Sequence, residues 1–197
     1  PNFSFLDKDD SVPIFFKASS LKSWKFFSFL KDSVKGWSGA IAINEAPNIV
    51  SGRVVKILIF GQDKPFNEAN LPFETHYIGR ISDDITLSLL YSASTITITP
   101  SMQEAFGMTA SESMACGTPV VAFGATGPLD VIDHKENGYL AIPYDFMDLA
   151  SGILWVLDPI NYKRISLNAR QKCLDKFDLK DTTNAYLSLY NEKLKNI

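Results

Sequence analysis

Glu104 and Glu112 bracket the stretch Glu-Ala-Phe-Gly-Met-Thr-Ala-Ser-Glu, with small and polar residues between them. Carboxylates so placed can accept hydrogen bonds from a sugar or from a ribose diol. Phe106, Gly107 and Met108 offer backbone amides, and Gly107 lets a ligand approach the main chain closely. Thr109 stands near the start of a helix, whose free N–H groups and positive dipole end suit phosphate oxygens. A plainer reading exists for the same residues. Thr109-x-x-Glu112 and Ser101-x-x-Glu104 each match a capping box. Residue types alone stop at a site for anions or hydroxyls.

The neighbouring elements would have to position these groups. Thr95 to Thr99 is β-rich and closed by Pro100, Ala110 to Cys116 is helix-compatible, and Gly117 is the residue type that most often ends a helix. Val120 to Phe123 forms the next strand. In an open α/β sheet, ligands sit beyond the carboxyl ends of the strands, and the segment after Thr99 is such a place.

The remaining chain alternates in the same way. Residues 1–11 read as a linker or entry segment and 12–197 as a single domain. Val12 to Lys17 is a first strand, with Pro13 near its start. Leu21 to Val34 has apolar residues at helical intervals, and Gly36 to Ser51 fits no single pattern. Arg53 to Phe60 is a nearly continuous β-branched run, as a strand covered on both faces should be. Thr75 to Ile78 is a short strand, Asp83-Asp84 open a helix through Tyr91, and Tyr139 to Ile142 is a last strand. Helices follow from Asp145 to about Leu157, from Asn161 to Lys176 and from Thr182 to Leu194. Strands alternating with helices predict a doubly wound parallel α/β sheet with helices on both faces.

Composition narrows the class. The 197 residues are 46% hydrophobic, enough to bury a core, and 19 basic against 22 acidic residues leave a net charge of -3, which makes no electrostatic case for nucleic acid. Cys116 and Cys173 lack metal-ligand spacing and read as free thiols in a reducing compartment. No apolar run approaches the roughly 20 residues of a membrane helix. The start at Pro1 has no basic n-region, so it does not read as a signal peptide but as the middle of a longer chain. No Gly-x-Gly-x-x-Gly or P-loop follows any strand, which disfavours a nicotinamide or ATP site of those types.

The order Glu-x7-Glu, then Ser-Met-Ala-Cys-Gly-Thr-Pro-Val-Val-Ala, Gly127-Pro128, Asp133 and Asn137-Gly-Tyr-Leu resembles the C-terminal half of retaining glycosyltransferases of family 4, with the GT-B fold. Tyr77-Ile-Gly-Arg-Ile-Ser-Asp-Asp looks like the strand, turn and helix that precede that motif. Gly127 to His134 and Pro143-Tyr-Asp are similar to members that build bacterial surface polysaccharides. The likeness runs from about Arg53 to Leu157. It implies a Rossmann-like domain that forms half of a GT-B fold. Glu104 would hold the donor sugar near its reacting carbon. The amides of Phe106, Gly107 and Met108 would bind sugar hydroxyls, that of Thr109 a phosphate, and Glu112 the ribose, while Arg80 and Ile81 would receive the base. The implied reaction transfers a sugar, with retention, from a nucleotide diphosphate donor to a glycan or lipid-linked acceptor, with no metal and no other cofactor. A further N-terminal domain would bind the acceptor. The setting implied is cytoplasmic, with peripheral contact at the inner membrane face left to that domain, and the isolated domain would bind nucleotide but transfer little.

The chain departs from the family where bases neutralise the leaving diphosphate. Lys17 stands after the first strand in place of an Arg, and Ser23-Trp24-Lys25-Phe26 replaces a Lys-Gly. Lys25 or Lys22 would serve, and a solvated helix face is the competing reading for either. A non-catalytic nucleotide-sugar-binding or scaffold module is the alternative function. Phe5-Leu-Asp-Lys-Asp-Asp10 resembles the metal motif of the GT-A fold, but no nucleotide-binding half precedes it, so a solvated linker is favoured. His134 reads as an exposed turn residue, His76 as a sheet-edge histidine, Asp133 as structural, and Trp24, Trp37 and Trp155 as core or covered interface.

Overall fold

The computed structural model describes residues 12–17, 49–50, 53–61, 74–101 and 103–195. The strands are β1 (Val12–Lys17), β2 (Ile49–Val50), β3 (Arg53–Phe60), β4 (Glu74–Gly79), β5 (Ile96–Thr99), β6 (Val120–Phe123) and β7 (Gly138–Ala141). All but β2 run parallel, in the spatial order β4-β3-β1-β5-β6-β7, and β2 pairs antiparallel with the start of β3. The chain therefore builds outward from β1 to β3 and β4. It then returns to the other side of β1 with β5 and continues to β6 and β7. The winding reverses between β1 and β5, and this is the topological switch point of a doubly wound sheet.

The six described helices are α1 (Asp84–Ala93), α2 (Met108–Ala115), α3 (Pro128–Val131), α4 (Phe146–Leu157), α5 (Pro159–Lys176) and α6 (Leu179–Leu194). Strand residues alternate between two apolar layers. Ile57, Ile59, Ile96, Ile98, Val121 and Phe123 meet Leu149, Ile153, Val156 and Leu157 of α4 on one face. On the other, Leu58 and Phe60 meet Leu90 and Tyr91 of α1, while Val120 and Ala122 meet Ala110 and Met114 of α2 and Ala169 and Cys173 of α5. Every residue of β5 and β6 is buried, which is why both read as unbroken strand sequence. Both faces carry helices, as the alternation of strands and helices predicts.

Polar bonds lock α2 onto this layer. Ser113 Oγ donates to Thr97 Oγ1 at 2.8 Å and Thr118 Oγ1 to the Tyr91 carbonyl at 2.6 Å, both in buried surroundings. The helix ends at Gly117 (φ 78°), whose N–H reaches the Met114 carbonyl at 2.9 Å while Thr118 N–H reaches that of Ser113 at 3.0 Å. This is the Schellman pattern expected of a glycine there. From α5, Ser166 Oγ donates to the Gly117 carbonyl at 2.7 Å and Arg170 to that of Ala115.

Several boundaries differ from expectation. The last strand spans Gly138–Ala141 and leaves Ile142 out, 61% exposed, because β6 ends at Phe123, the partner of Ala141. At its start Gly138 is drawn against β6, where a Cβ would lie 2.7 Å from the Val120 carbonyl oxygen. The final helix begins at Leu179 rather than Thr182, since the Asp178 side chain accepts from Lys180 N–H at 2.7 Å and caps it. Asp158 caps α5 in the same way and moves its start to Pro159. Helix α3 was not anticipated. The expected helix from Leu21 to Val34, the linker 1–11 and most of Gly36 to Ser51 lie outside the described residues, as do Lys22, Lys25, Trp24 and Trp37. Trp155 packs half-buried against Tyr139 and the core, as a structural tryptophan would.

Candidate functional site

The site is built where the chain leaves the carboxyl end of β5. Lys17 ends the neighbouring strand β1, one residue beyond the Phe16–Ile98 pairing, so β1 and β5 stop at the same edge. The loop after Thr99 runs to Gly107, which is buried and adopts φ 96°, a left-handed conformation that favours glycine. Gly107 is the N-cap of α2, and its carbonyl accepts from the N–H groups of Ala110 at 2.9 Å and Ser111 at 3.0 Å. Among the described residues no side chain caps this end. The amides of Phe106, Gly107 and Met108 have no backbone acceptor among the described residues. They are donors at the positive end of a helix, at a sheet's switch point.

This geometry overturns both capping-box readings. Thr109 lies inside the helix rather than before it, and Ser101 precedes no helix start. Glu112 sits in the second turn of α2, half-buried, and its Oε2 accepts a hydrogen bond from the Tyr91 hydroxyl at 3.1 Å. Burial first, and then the Glu112 carboxylate, push the Tyr91 phenol well above its ordinary range, so it stays protonated and donates.

Glu104 is held through its backbone by the loop after β6. Its N–H donates to Thr126 Oγ1 at 3.1 Å, and its carbonyl accepts from Gly127 N–H at 3.0 Å. Thr126 adopts φ 53°, a conformation that costs a non-glycine residue about 1–3 kcal/mol and is found where surrounding structure enforces it. The Glu104 side chain is half-buried, and among the described residues its carboxylate has no hydrogen-bond or ion-pair partner. The clamp thus fixes the main chain and leaves the carboxylate available. Phe106 packs edge-on against Phe177, with centroids 5.6 Å apart, which anchors the loop from outside.

Of the other predicted site residues, Arg80 is exposed just after β4 and Ile81 packs on the Leu58–Tyr91 cluster. Both lie at the carboxyl edge of the sheet, but β3 and β1 stand between β4 and β5. His76 bonds Glu74 at 2.8 Å on β4, and exposed His134 accepts from Leu140 N–H at 3.2 Å through Nδ1. Asp133 is structural: it accepts from Asn137 and from Lys172, each at 2.8 Å, and so ties α5 to the turn before β7. Cys116 and Cys173 are free, and burial pushes the Cys173 thiol up to about 11. Sequence reasoning missed Thr126 and Tyr91. Thr126-Gly127-Pro128 carried a usable turn signal; the Tyr91–Glu112 bond spans two elements and carried none.

A doubly wound sheet with a helix N-terminus and two acidic side chains at its switch point is the α/β architecture in which ligands are bound beyond the carboxyl ends of the strands. The chain belongs to the family of glycosyl transferases group 1, whose profile matches residues 6–172. It is 33% identical over 115 residues to an uncharacterised glycosyltransferase of Methanocaldococcus jannaschii, a match covering 56% of this chain and 29% of that protein. Its fold resembles that of Anabaena HepE, solved in complex with UDP and glucose, with a TM-score of 0.65, 22% identity, and coverage of 95% of this chain and 49% of the other. It also resembles the C-terminal domain of LpcC, a glycosyl transferase group 1 protein of Francisella tularensis, with a TM-score of 0.62, 19% identity and 86% of each chain covered. The chain thus matches less than a third of the curated relative and about half of HepE. The resemblance read from Glu-x7-Glu and the flanking motifs is met by the family match, and the GT-B-type fold by the structural neighbours.

Proposed function

We propose that this chain is the donor-binding half of a retaining glycosyltransferase that moves a sugar from a nucleotide diphosphate to a glycan or lipid-linked acceptor in bacterial polysaccharide synthesis. The observation that carries this reading is the start of α2, where the amides from Phe106 to Met108 have no backbone acceptor among the described residues, set between Glu104 and Glu112 at the switch point. The helix end and the Thr109 amide stabilise charge on the leaving diphosphate. Glu104, clamped by its main chain, orients the donor sugar, and positioning of that kind is worth several kcal/mol of barrier. Glu112 accepts from the ribose. Lys17 and Lys25 complete the neutralisation of the diphosphate, so that no metal is required, and Arg80 with Ile81 frames the base.

In this reading residues 12–197 form the donor domain and a second domain brings the acceptor. Helix α6 supports it. It has no buried residue, and Leu179, Tyr186, Leu187, Tyr190 and Leu194 leave an apolar face open. That face is assigned to the acceptor domain, without which the donor domain binds nucleotide but transfers little. The setting assigned is the cytoplasm, at the inner membrane face when the acceptor is lipid-linked.

Calorimetric titration with UDP, GDP, ADP and their sugar conjugates, without added metal, tests the reading. Saturable binding of one nucleotide, weakened by Glu112→Ala, is the expected result. Binding without sugar transfer by the full-length protein would point to a non-catalytic nucleotide-sugar module, and no binding by any nucleotide would sink the proposal.

A further inference from the structure

Tyr91 belongs to a different element from the proposed donor contacts, yet it reaches one of them. Its side chain is 1% exposed at the end of α1, its ring meets Phe60 edge-on at 6.1 Å, and its carbonyl is held by Thr118 at 2.6 Å. A residue so packed has little rotamer freedom. Its hydroxyl donates to Glu112 Oε2 at 3.1 Å, and the Thr109 side chain hydrogen-bonds the same phenol. A chain Thr109–Tyr91–Glu112 therefore links the start of α2 to the carboxylate in its second turn.

A glutamate side chain has three rotatable bonds, and a free one must be ordered each time it grips a ligand, at a cost in entropy. Pinning Oε2 from the buried side spends that entropy on folding. It leaves Oε1 and the remaining lone pairs for vicinal hydroxyls, and a neutral donor does this without cancelling the carboxylate charge. We propose that Tyr91 is a positioning residue that sets the plane of the Glu112 carboxylate for a ribose diol and so gives the site a preference for ribonucleotides over deoxyribonucleotides. The proposal rests on the reading of Glu112 as the ribose ligand.

The test titrates the full-length protein with UDP, GDP and ADP and with their 2′-deoxy counterparts, in wild type, Tyr91→Phe, Glu112→Gln and the double variant. Losing one hydrogen bond of this kind lowers affinity about fivefold. Tyr91→Phe is expected to weaken the ribonucleotide by about that factor and to leave the deoxynucleotide unchanged. The double variant should be no worse than Glu112→Gln alone, and steady-state assays of Tyr91→Phe should show a higher donor KM with kcat retained. Equal weakening of both nucleotides by Tyr91→Phe, or no weakening of either, overturns the proposal while the Glu112 reading stands. If Glu112→Gln leaves the ribose preference intact, or no nucleotide binds, the donor-site reading fails and this proposal fails with it.

Discussion

A Cβ added at Gly127 would lie 2.4 Å from the carbonyl carbon of Phe106 and 2.6 Å from its Cα. Two loops that leave adjacent strands, β5 and β6, are thus packed main chain against main chain. Nothing flexible lies at the contact to give way. Gly127→Ala must push the Glu104–Phe106 segment aside, an overpacking that costs about 1–3 kcal/mol. The expected outcome is a melting temperature lower by about 2–4 °C for each of those kcal/mol. Nucleotide affinity should fall with it. Differential scanning calorimetry and titration of the same sample check both.

Thr126 offers a finer test of the same clamp. Thr126→Ala keeps the strained backbone at φ 53° and loses the acceptor for Glu104 N–H, so it should destabilise by about 1 kcal/mol. Thr126→Gly loses the same acceptor but relieves about 1–2 kcal/mol of left-handed strain. Urea unfolding should therefore rank glycine at or above wild type, despite its greater freedom in the unfolded chain, and alanine below both. The reverse order would mean that the hydroxyl and the strain do not oppose each other at this position.

Glu104 separates function from stability. Its carboxylate is half-buried and has no partner among the described residues, so Glu104→Gln should shift stability by no more than about 0.5 kcal/mol. If the side chain orients the donor sugar, transfer by the full-length protein should fall by about 100-fold, the scale of a misplaced reacting group. Thermal melts alongside progress curves decide it. A variant that unfolds early would show the carboxylate to be structural instead.

The Tyr139 hydroxyl donates to Asp148 Oδ1 at 2.8 Å, and burial, reinforced by that carboxylate, pushes its pKa up to about 12. An unfolded tyrosine titrates near 10. The folded pKa is the higher one, so the stability from the protonated phenol is fully present below pH 10 and is lost as pH rises from there towards 12. Comparing urea midpoints at pH 9 and pH 11, wild type should lose more than Tyr139→Phe. Equal losses would show that this phenol does not govern the alkaline limb.

The alternation of β-branched runs with amphipathic segments determined the doubly wound sheet from residue types alone, because parallel strands covered on both faces have to be apolar throughout. Gly117 announced the end of α2, since only glycine meets the left-handed turn there without a steric cost. Glu104, Gly107 and Glu112 stood out because a short sequence spacing maps onto one loop–helix junction. The helix start did not follow in the same way. Two capping boxes matched, and neither is used, because Gly107 with φ 96° begins the helix and no side chain among the described residues caps its amides. Local hydrogen-bond rules cannot choose between a side-chain cap and an open end; the packing of the neighbouring loop does. Tyr91 and Glu112 are 21 positions apart, as Glu104 and Thr126 are 22 apart. The first exists because α1 and α2 pack side by side on one face of the sheet, the second because the loops after β5 and β6 meet at its carboxyl edge. The residues of the loop–helix junction were therefore legible in the sequence, whereas the residues that hold them in place were decided by the tertiary fold.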